Sequence, residues 1–371
     1  INLLNLHSRS LHSFPDEAPF PRYAILSHTW ADGEQGVSNY EIRTRGLDAI
    51  QGQRDKIVGC FKQAKADGYQ YVWIDLCCVN QTDENALKAC ILAMHRWYQN
   101  AGVCYVFLPD VEAGDDPRGP LSSFQNSIWF TKGWTLQELL APAEVRFYDK
   151  SWTFIGTKKD LCHAIEGITG IPRAILAGTQ ELRCASVAQR LSWAAGRKTT
   201  QAEDQAYCLQ GLFDVALPAR YDEGIENAFR RLQEEIMKSP HADDSILAWG
   251  LGPGGGLHPT PSRAIPGVLA STPADFLNSG QVVPIRDAGR GPFNLVDGCL
   301  ELNLSIRDTS DGQVFGVLNC GPSEDLSVGI PLARTLDYPV EYTRRLHHPV
   351  SLFLPQSEAR FVRLRVDPRP K

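Results

Sequence analysis

Glu138 lies one helical turn after Trp134 in the stretch Trp129–Leu140, WFTKGWTLQELL. Written as a helix from Gly133 onward, this stretch puts Trp134, Gln137 and Glu138 on one face and Leu136, Leu139 and Leu140 on the opposite one. A carboxylate one turn after an aromatic ring can serve as an acid or as the electrostatic partner of a sugar-like cation, because the apolar neighbour lowers the local dielectric and strengthens its field. The plainer alternative is a solvated helix glutamate. Other residues of suitable chemistry end two apolar runs: Ser27, His28 and Trp30 close and follow YAILSH, and Asp75 and Asn80 lie within and after YVWIDLCC. His28 is either a hydrogen-bonding residue of the strand end or a group lining a cleft; Asp75 and Asn80 either bind a ligand or cap their loop. Trp134 either walls a ligand or packs.

These residues need elements to bring them together. Tyr23 to His28 is apolar and β-capable, and feeds the Gly-containing loop Ala31 to Gly36. Arg54 to Gly68 carries Ile57, Val58, Phe61 and Ala64 at helical spacing. Tyr71 to Cys78 predicts a second continuous strand. Glu84 to Asn100 predicts a helix, capped by Thr82 or Asp83, with Ala86, Cys90, Met94 and Trp97 along one side. Val103 to Leu108 is a third strand and Val145 to Tyr148 a fourth. Strands buried on both sides and alternating with helices imply a parallel sheet in a doubly wound α/β fold, with strand order 2-1-3-4 the simplest arrangement. Ligands of such sheets bind at the crevice where the strand order reverses, outside the carboxyl ends of the strands. That crevice receives Ser27, His28, Thr29 and Trp30 from the first strand and Glu138 from the segment after the third. Asp75, Cys77 and Asn80 arrive from the neighbouring second strand.

Three long blocks, YAILSHTW, WIDLCCVNQTDE followed by MHRWYQNAGVCYVFL, and WFTKGWTLQELLAP, resemble in order and spacing the signature blocks of the HET domain, the fungal heterokaryon-incompatibility module. The resemblance implies kinship with the TIR domain and a flavodoxin-like sheet. TIR domains often carry Trp-Cys-x-x-Glu-Leu in the helix after the third strand, and in enzymatic members that glutamate is the catalytic residue of NAD+ cleavage. The matching residues are Trp134, Thr135, Glu138 and Leu139, with Thr135 in place of the usual Cys. The resemblance therefore implies an NAD+ glycohydrolase, a cell-death effector of fungal non-self recognition. Glu138 would be catalytic, and Ser27, His28, Trp30, Asp75, Asn80 and Trp134 would bind the substrate. NAD+ would be substrate rather than cofactor. The alternative is a non-enzymatic, self-associating signalling module whose β-rich part recognises a protein partner. Thiol chemistry at Cys77 or Cys78 with His28 is a third option, opposed by burial, which makes thiols inert.

The rest of the chain frames this domain. Its 371 residues suggest two or three units: 1–165 the α/β domain, 166–244 a helical extension packed on it, and 245–371 an all-β sandwich or partly open barrel. Thr200 and Glu203 fit a capping box. Arg190, Arg197, Glu203 and Asp204 read as a solvated face rather than as bracing ion pairs, and Lys158-Lys159 and Arg344-Arg345 as solvated surface. Runs such as GVLA, QVVPI, CLELNLSI, VFGVLNC, VGIPLA, VSLFL and RFVRLRV alternate with turns, SDG at Ser310 to Gly312 among them. Hydrophobic content of 43% with 22% charged residues is ordinary for a globular chain, and a net charge of -6 gives no footprint for nucleic acid. The 10 cysteines are scattered within apolar runs, which fits a reduced, cytoplasmic protein without a zinc site. In such a compartment the sequons at Asn80 and Asn303 carry no glycan. No run approaches the roughly 18 apolar residues of a membrane span, so the chain is expected to be soluble. Gly250 to Gly255 matches a dinucleotide fingerprint only formally, since Pro253 and the following GLHPTP leave no helix to hold a pyrophosphate. The sequence begins without methionine, so further domains outside it are expected to be possible.

Overall fold

The computed structural model describes residues 1–15, 19–29, 54–80, 82–119, 122–252, 267–285, 293–323, 325–335, 340–344, 351–353 and 360–366. Trp30 and the loop Ala31 to Gly36 lie outside these residues, as do Arg345 and most of the Gly/Pro-rich run after Gly252. The chain divides into two compact units, Ile1–Gln180 and Glu181–Lys371.

The first unit runs β1 (Asn2–Asn5), β2 (Leu11–Ser13), β3 (Tyr23–His28), α1 (Arg54–Ala66), β4 (Tyr71–Trp73), α2 (Asp75–Cys78), α3 (Glu84–Asn100), β5 (Val103–Phe107), a 3-10 turn at Ile128–Thr131, α4 (Thr135–Leu140), β6 (Val145–Tyr148), β7 (Phe154–Thr157), α5 (Cys162–Thr169) and α6 (Arg173–Leu176). Its seven strands lie in the order β2-β1-β4-β3-β5-β6-β7. The four central strands, β4-β3-β5-β6, are parallel. Numbered by their place in the sequence reading, they have the order 2-1-3-4. The edges are antiparallel, with β1 on β4, β2 on β1 and β7 on β6. These edge strands are too short and too polar to show as runs in the sequence.

All six residues of β3 and all five of β5 are buried, as strands covered on both faces must be. Side chains alternate along a strand, so Ser27 and His28 point to opposite faces of the sheet. The helix over 84–100 starts where Asp83 accepts hydrogen bonds from Asn85 N and Ala86 N. Its buried residues are Cys90, Ile91, Ala93, Trp97 and Tyr98, a face turned slightly from the expected one. The strand expected over Tyr71 to Cys78 stops at Trp73, and Asp75–Cys78 is a single helical turn. Asp75 Oδ1 accepts from Leu76 N at 2.7 Å, which starts that turn. Trp152 adopts φ 61° and stacks on Phe107, with ring centroids 5.1 Å apart. It lies directly over Gly59 of α1, where a Cβ would fall 2.0 Å from the indole nitrogen.

The second unit opens with helices. α7 (Val187–Ser192) is capped by Ser186 and Gln189 in a reciprocal capping box that the sequence reading did not identify. α8 (Asp204–Tyr207) follows Glu203, which makes no capping bond; the box expected from Thr200 does not form at this helix. The helices expected over 166–244 therefore fall in both units. α9 (Ile225–Lys238) belongs with the second, where Gln233 exchanges bonds with the backbone of Ala270 at 2.8 and 2.9 Å.

The residues read as a solvated face are buried. Arg190 donates to Leu212 O at 2.9 Å and lies over the Phe213 ring; Glu203 Oε1 accepts from Asp222 N and Gly224 N, each at 3.1 Å; Asp204 accepts from Tyr221 at 2.9 Å; Arg197 donates to Trp193 O at 3.0 Å. Each satisfies local backbone or a tyrosine, so their charges serve as buried hydrogen-bonding groups. Arg344 is buried too, stacked on Trp249 and bonded to the carbonyls of Leu247 and Trp249.

Among the described residues nine strands follow: β8 (Val283–Pro284), β9 (Asn294–Val296), β10 (Cys299–Asp308), β11 (Val314–Val317), β12 (Cys320–Gly321), β13 (Ser327–Arg334), β14 (Glu341–Arg344), β15 (Ser351–Phe353) and β16 (Arg360–Arg365). Pairings β10-β11, β11-β13, β13-β14, β14-β16 and β16-β10 close a five-stranded, barrel-like ring. The Ser310 to Gly312 turn joins β10 to β11, with Gly312 at φ 79°. The run GVLA forms no strand, whereas β9, only three residues long, and the polar β14 do not read as strands in the sequence.

Candidate functional site

The carboxyl end of β3 gathers the polar residues of the first unit. Glu138 is buried at 8% exposure, and so are Gln137, Leu136 and Leu139. The short helix α4 is thus enclosed nearly all round rather than exposed along a Trp134–Glu138 face. Its start is tied down by Thr135, whose hydroxyl donates to Trp129 O at 2.6 Å and to Lys132 O at 2.9 Å. Its end is tied down by Lys158, whose ammonium donates to Leu139 O at 3.1 Å and Pro142 O at 2.7 Å. Lys158 is therefore buried, contrary to the expectation of solvated surface, and burial lowers its pKa to about 8.

Ser27 donates to Glu138 Oε2, and the Trp129 indole donates to Ser27 Oγ at 2.8 Å. Tyr98, whose hydroxyl donates to Leu26 O at 3.1 Å, also lies within hydrogen-bonding reach of the carboxylate. Burial pushes the Glu138 pKa up to about 7, against the stabilising bonds from Ser27 and Tyr98; the charge of Asp75 raises it further and that of His28 lowers it. A buried carboxyl group that titrates near neutrality at the end of a central strand is poised to change charge in the course of a reaction.

On the other face of the sheet, His28 Nε2 and Asp75 Oδ1 are 2.8 Å apart. His28 Nδ1 lies 3.1 Å from Thr29 O and 3.2 Å from Lys56 Nζ. A neutral imidazole with bare Nδ1 accepts from Lys56, whereas an imidazolium donates to both Thr29 and Asp75. Burial alone would lower the His28 pKa. The Asp75 carboxylate, by charge and hydrogen bond, outweighs it, so the imidazole sits above its ordinary value.

The structure thus brings Ser27, His28, Asp75 and Glu138 to one end of the sheet. Asn80 does not join them; its side-chain Oδ1 accepts from Thr82 N at 3.3 Å and Thr82 Oγ1 at 2.9 Å, closing its own loop. Trp134 is half-buried at the N-cap of α4. Trp30 lies outside the described residues. Cys77 and Cys78 are buried, and burial raises the first well above the ordinary thiol range and the second to about 12. Such thiols are inert at neutral pH.

Four further residues take part that sequence reading did not single out: Lys56, Tyr98, Trp129 and Lys158. The one sequence signal for Tyr98 was its position one turn after Met94 in MHRWYQN; the others could not be told from core or surface residues. Among the described residues, no group of three or more His, Cys, Asp or Glu is placed to hold a metal ion, and no helix is long and apolar enough to cross a membrane.

Comparison with known proteins agrees with the blocks that converge here. The sequence model described as Heterokaryon incompatibility protein (HET) matches residues 23–117, which covers the first two blocks and ends before Trp129. Vegetative incompatibility protein HET-E-1 of Podospora anserina is 42% identical over 233 residues, 62% of this chain. The aligned region spans 17% of that relative's length. No solved structure matches the chain. The chain therefore carries a region, residues 23–117, that matches the HET domain, within a stretch similar to the Podospora incompatibility protein.

Proposed function

We propose that this HET domain is an NAD+ glycohydrolase and that the chain acts as a cell-death effector in heterokaryon incompatibility. The observation that carries the reading is the buried Glu138 at the carboxyl end of the central strand, held by Ser27, with its pKa raised to about 7. In NAD+ the nicotinamide is already a cationic pyridinium. When the C–N glycosidic bond breaks, the bonding electron pair leaves with neutral nicotinamide, so no acid is needed there. The ribose left behind is oxocarbenium-like, and an ionised Glu138 beside it would stabilise that charge, as carboxylates do in glycosidases. Water then adds to the cationic carbon and yields its proton, for which Glu138 is a suitable acceptor. Asp75, whose charge is felt by Glu138 and which His28 holds in place, would contact a ribose hydroxyl. The resemblance of Trp134, Glu138 and Leu139 to the TIR motif, and similarity to a Podospora protein named for vegetative incompatibility, support the same reading.

A second reading has its own observation. Glu138 is only 8% exposed, which suits a structural polar group in a non-enzymatic module that self-associates through the HET domain, while the barrel-like unit binds a protein partner.

The deciding experiment is NAD+ consumption and nicotinamide release by concentrated protein, with and without forced clustering, for wild type beside Glu138→Ala. Turnover by wild type alone supports the glycohydrolase. Absence of turnover in both, even when clustered, favours the signalling module.

A further inference from the structure

We propose that Trp129 is a positioning residue for Glu138, acting through Ser27: the indole N–H fixes the Ser27 hydroxyl so that its single proton points at the carboxylate. The role in turnover rests on Glu138 being the catalytic carboxylate; the role in orientation does not.

A serine hydroxyl can donate one hydrogen bond and accept two, and by itself chooses neither partner. An indole N–H can only donate. With Trp129 Nε1 2.8 Å from Ser27 Oγ, the oxygen accepts on that side and its hydrogen is left for Glu138 Oε2. This arrangement satisfies all three groups when Glu138 is ionised. If Glu138 instead donated a proton to Ser27, the serine hydrogen would have to find another acceptor in a site where Ser27 is fully buried.

The indole cannot easily turn away. Trp129 is fully buried and packs edge-on against Phe130 and Phe147, at centroid distances of 5.1 and 5.8 Å. Its carbonyl accepts from Thr135, which ties it to the helix that carries Glu138. Both ends of the hydrogen-bond chain therefore belong to one short segment, and Ser27 of β3 is the point they share. The other titratable groups facing Glu138 are Asp75 after β4, His28 on β3, Tyr98 on α3 and Cys104 on β5. None of them touches the indole nitrogen in the described hydrogen bonds, so its removal should reach Glu138 only through Ser27.

The experiment is a carboxyl-carbon NMR titration of Glu138 in glutamate-labelled full chain, its signal assigned by its loss in Glu138→Gln. Wild type is compared with Trp129→Phe, Ser27→Ala and the double variant. Where Trp129→Phe fails to fold, Trp129 is replaced by benzothienylalanine, which exchanges the N–H for sulfur at nearly constant shape. Loss of one oriented hydrogen bond should raise the Glu138 midpoint by about half to one pH unit. The change should be similar in Ser27→Ala, with no further rise in the double variant. An unchanged midpoint on loss of the indole N–H overturns the proposal, as does a rise of the same size in the Ser27→Ala background. The NAD+ assay separates the two claims. If wild type turns over, the acidic limb of its pH profile must move upward in Trp129→Phe, and a stationary limb also overturns the proposal. If wild type does not turn over, the glycohydrolase reading falls, and the titration alone decides whether Trp129 orients Ser27.

Discussion

Glu138 is the residue on which chemistry and stability meet. Its pKa in the fold, about 7, lies above that of an unfolded glutamate. A group whose folded value is raised contributes most when protonated, so its contribution is full below the unfolded value and is lost as pH climbs to about 7. Glu138→Gln, neutral at every pH, is therefore expected to be more stable than wild type at pH 8, by up to roughly 3 kcal/mol. The gap should close toward pH 4, as followed by urea unfolding at several pH values. Under the proposed glycohydrolase activity, the same variant should lose nicotinamide release by about a hundredfold or more, since an amide cannot offer the negative charge. Under the same proposed activity, wild-type kcat/KM should fall as pH drops below about 7, where the carboxylate takes up its proton. Asp75→Asn makes a separate prediction: without its anionic partner, His28 should titrate lower than in wild type, as read from its imidazole proton resonances.

At the scale of elements, the site depends on how tightly short pieces are pinned. α4 has only six residues and would not persist alone; Thr135 and Lys158 secure its two ends. The Thr135 hydroxyl, within reach of both Trp129 O and Lys132 O, makes the first of these ties. α1 approaches the sheet where Gly59 leaves room for Trp152. Gly59→Ala would drive a methyl into the indole at 2.0 to 2.3 Å, and overpacking of this kind should cost about 1–3 kcal/mol in chemical unfolding. Asp83→Ala removes the acceptor for two amides at the start of α3 and should cost about 1 kcal/mol in the same measurement.

At the scale of the whole molecule, the first unit holds the complete seven-stranded sheet together with Ser27, Trp129 and Glu138. Residues 1–180 expressed alone are therefore expected to fold, with the circular dichroism of an α/β protein, and to keep any nicotinamide release of the full chain. In the second unit, ring closure brings β11 between β10 and β13. There a Cβ on Gly316 would fall 2.4 Å from Leu304 Cδ2 and 3.0 Å from Leu332 Cδ1. Gly316→Ala should lower the melting temperature of the full chain.

Much of this was legible in the amino-acid order because burial on both faces writes itself as continuous apolar runs. Tyr23 to His28, Val103 to Leu108 and Val145 to Tyr148 announced parallel strands, and their spacing announced the strand order and the end of the sheet where Glu138 would lie. What sequence could not show was which polar residues leave water. Lys158, Arg190, Arg197, Glu203, Asp204 and Arg344 have surface chemistry, and only the folded chain supplies the carbonyls, amides, tyrosine hydroxyl and aromatic faces that make their burial tolerable. For the same reason the sequence could nominate Glu138 but could not settle whether it was solvated. That was decided by Ser27 and Tyr98, which lie far from it in the chain and meet it only when β3 and α3 pack against α4. Trp129, a few residues before Glu138, reaches it only through Ser27, so its part in the site had no signal in one dimension.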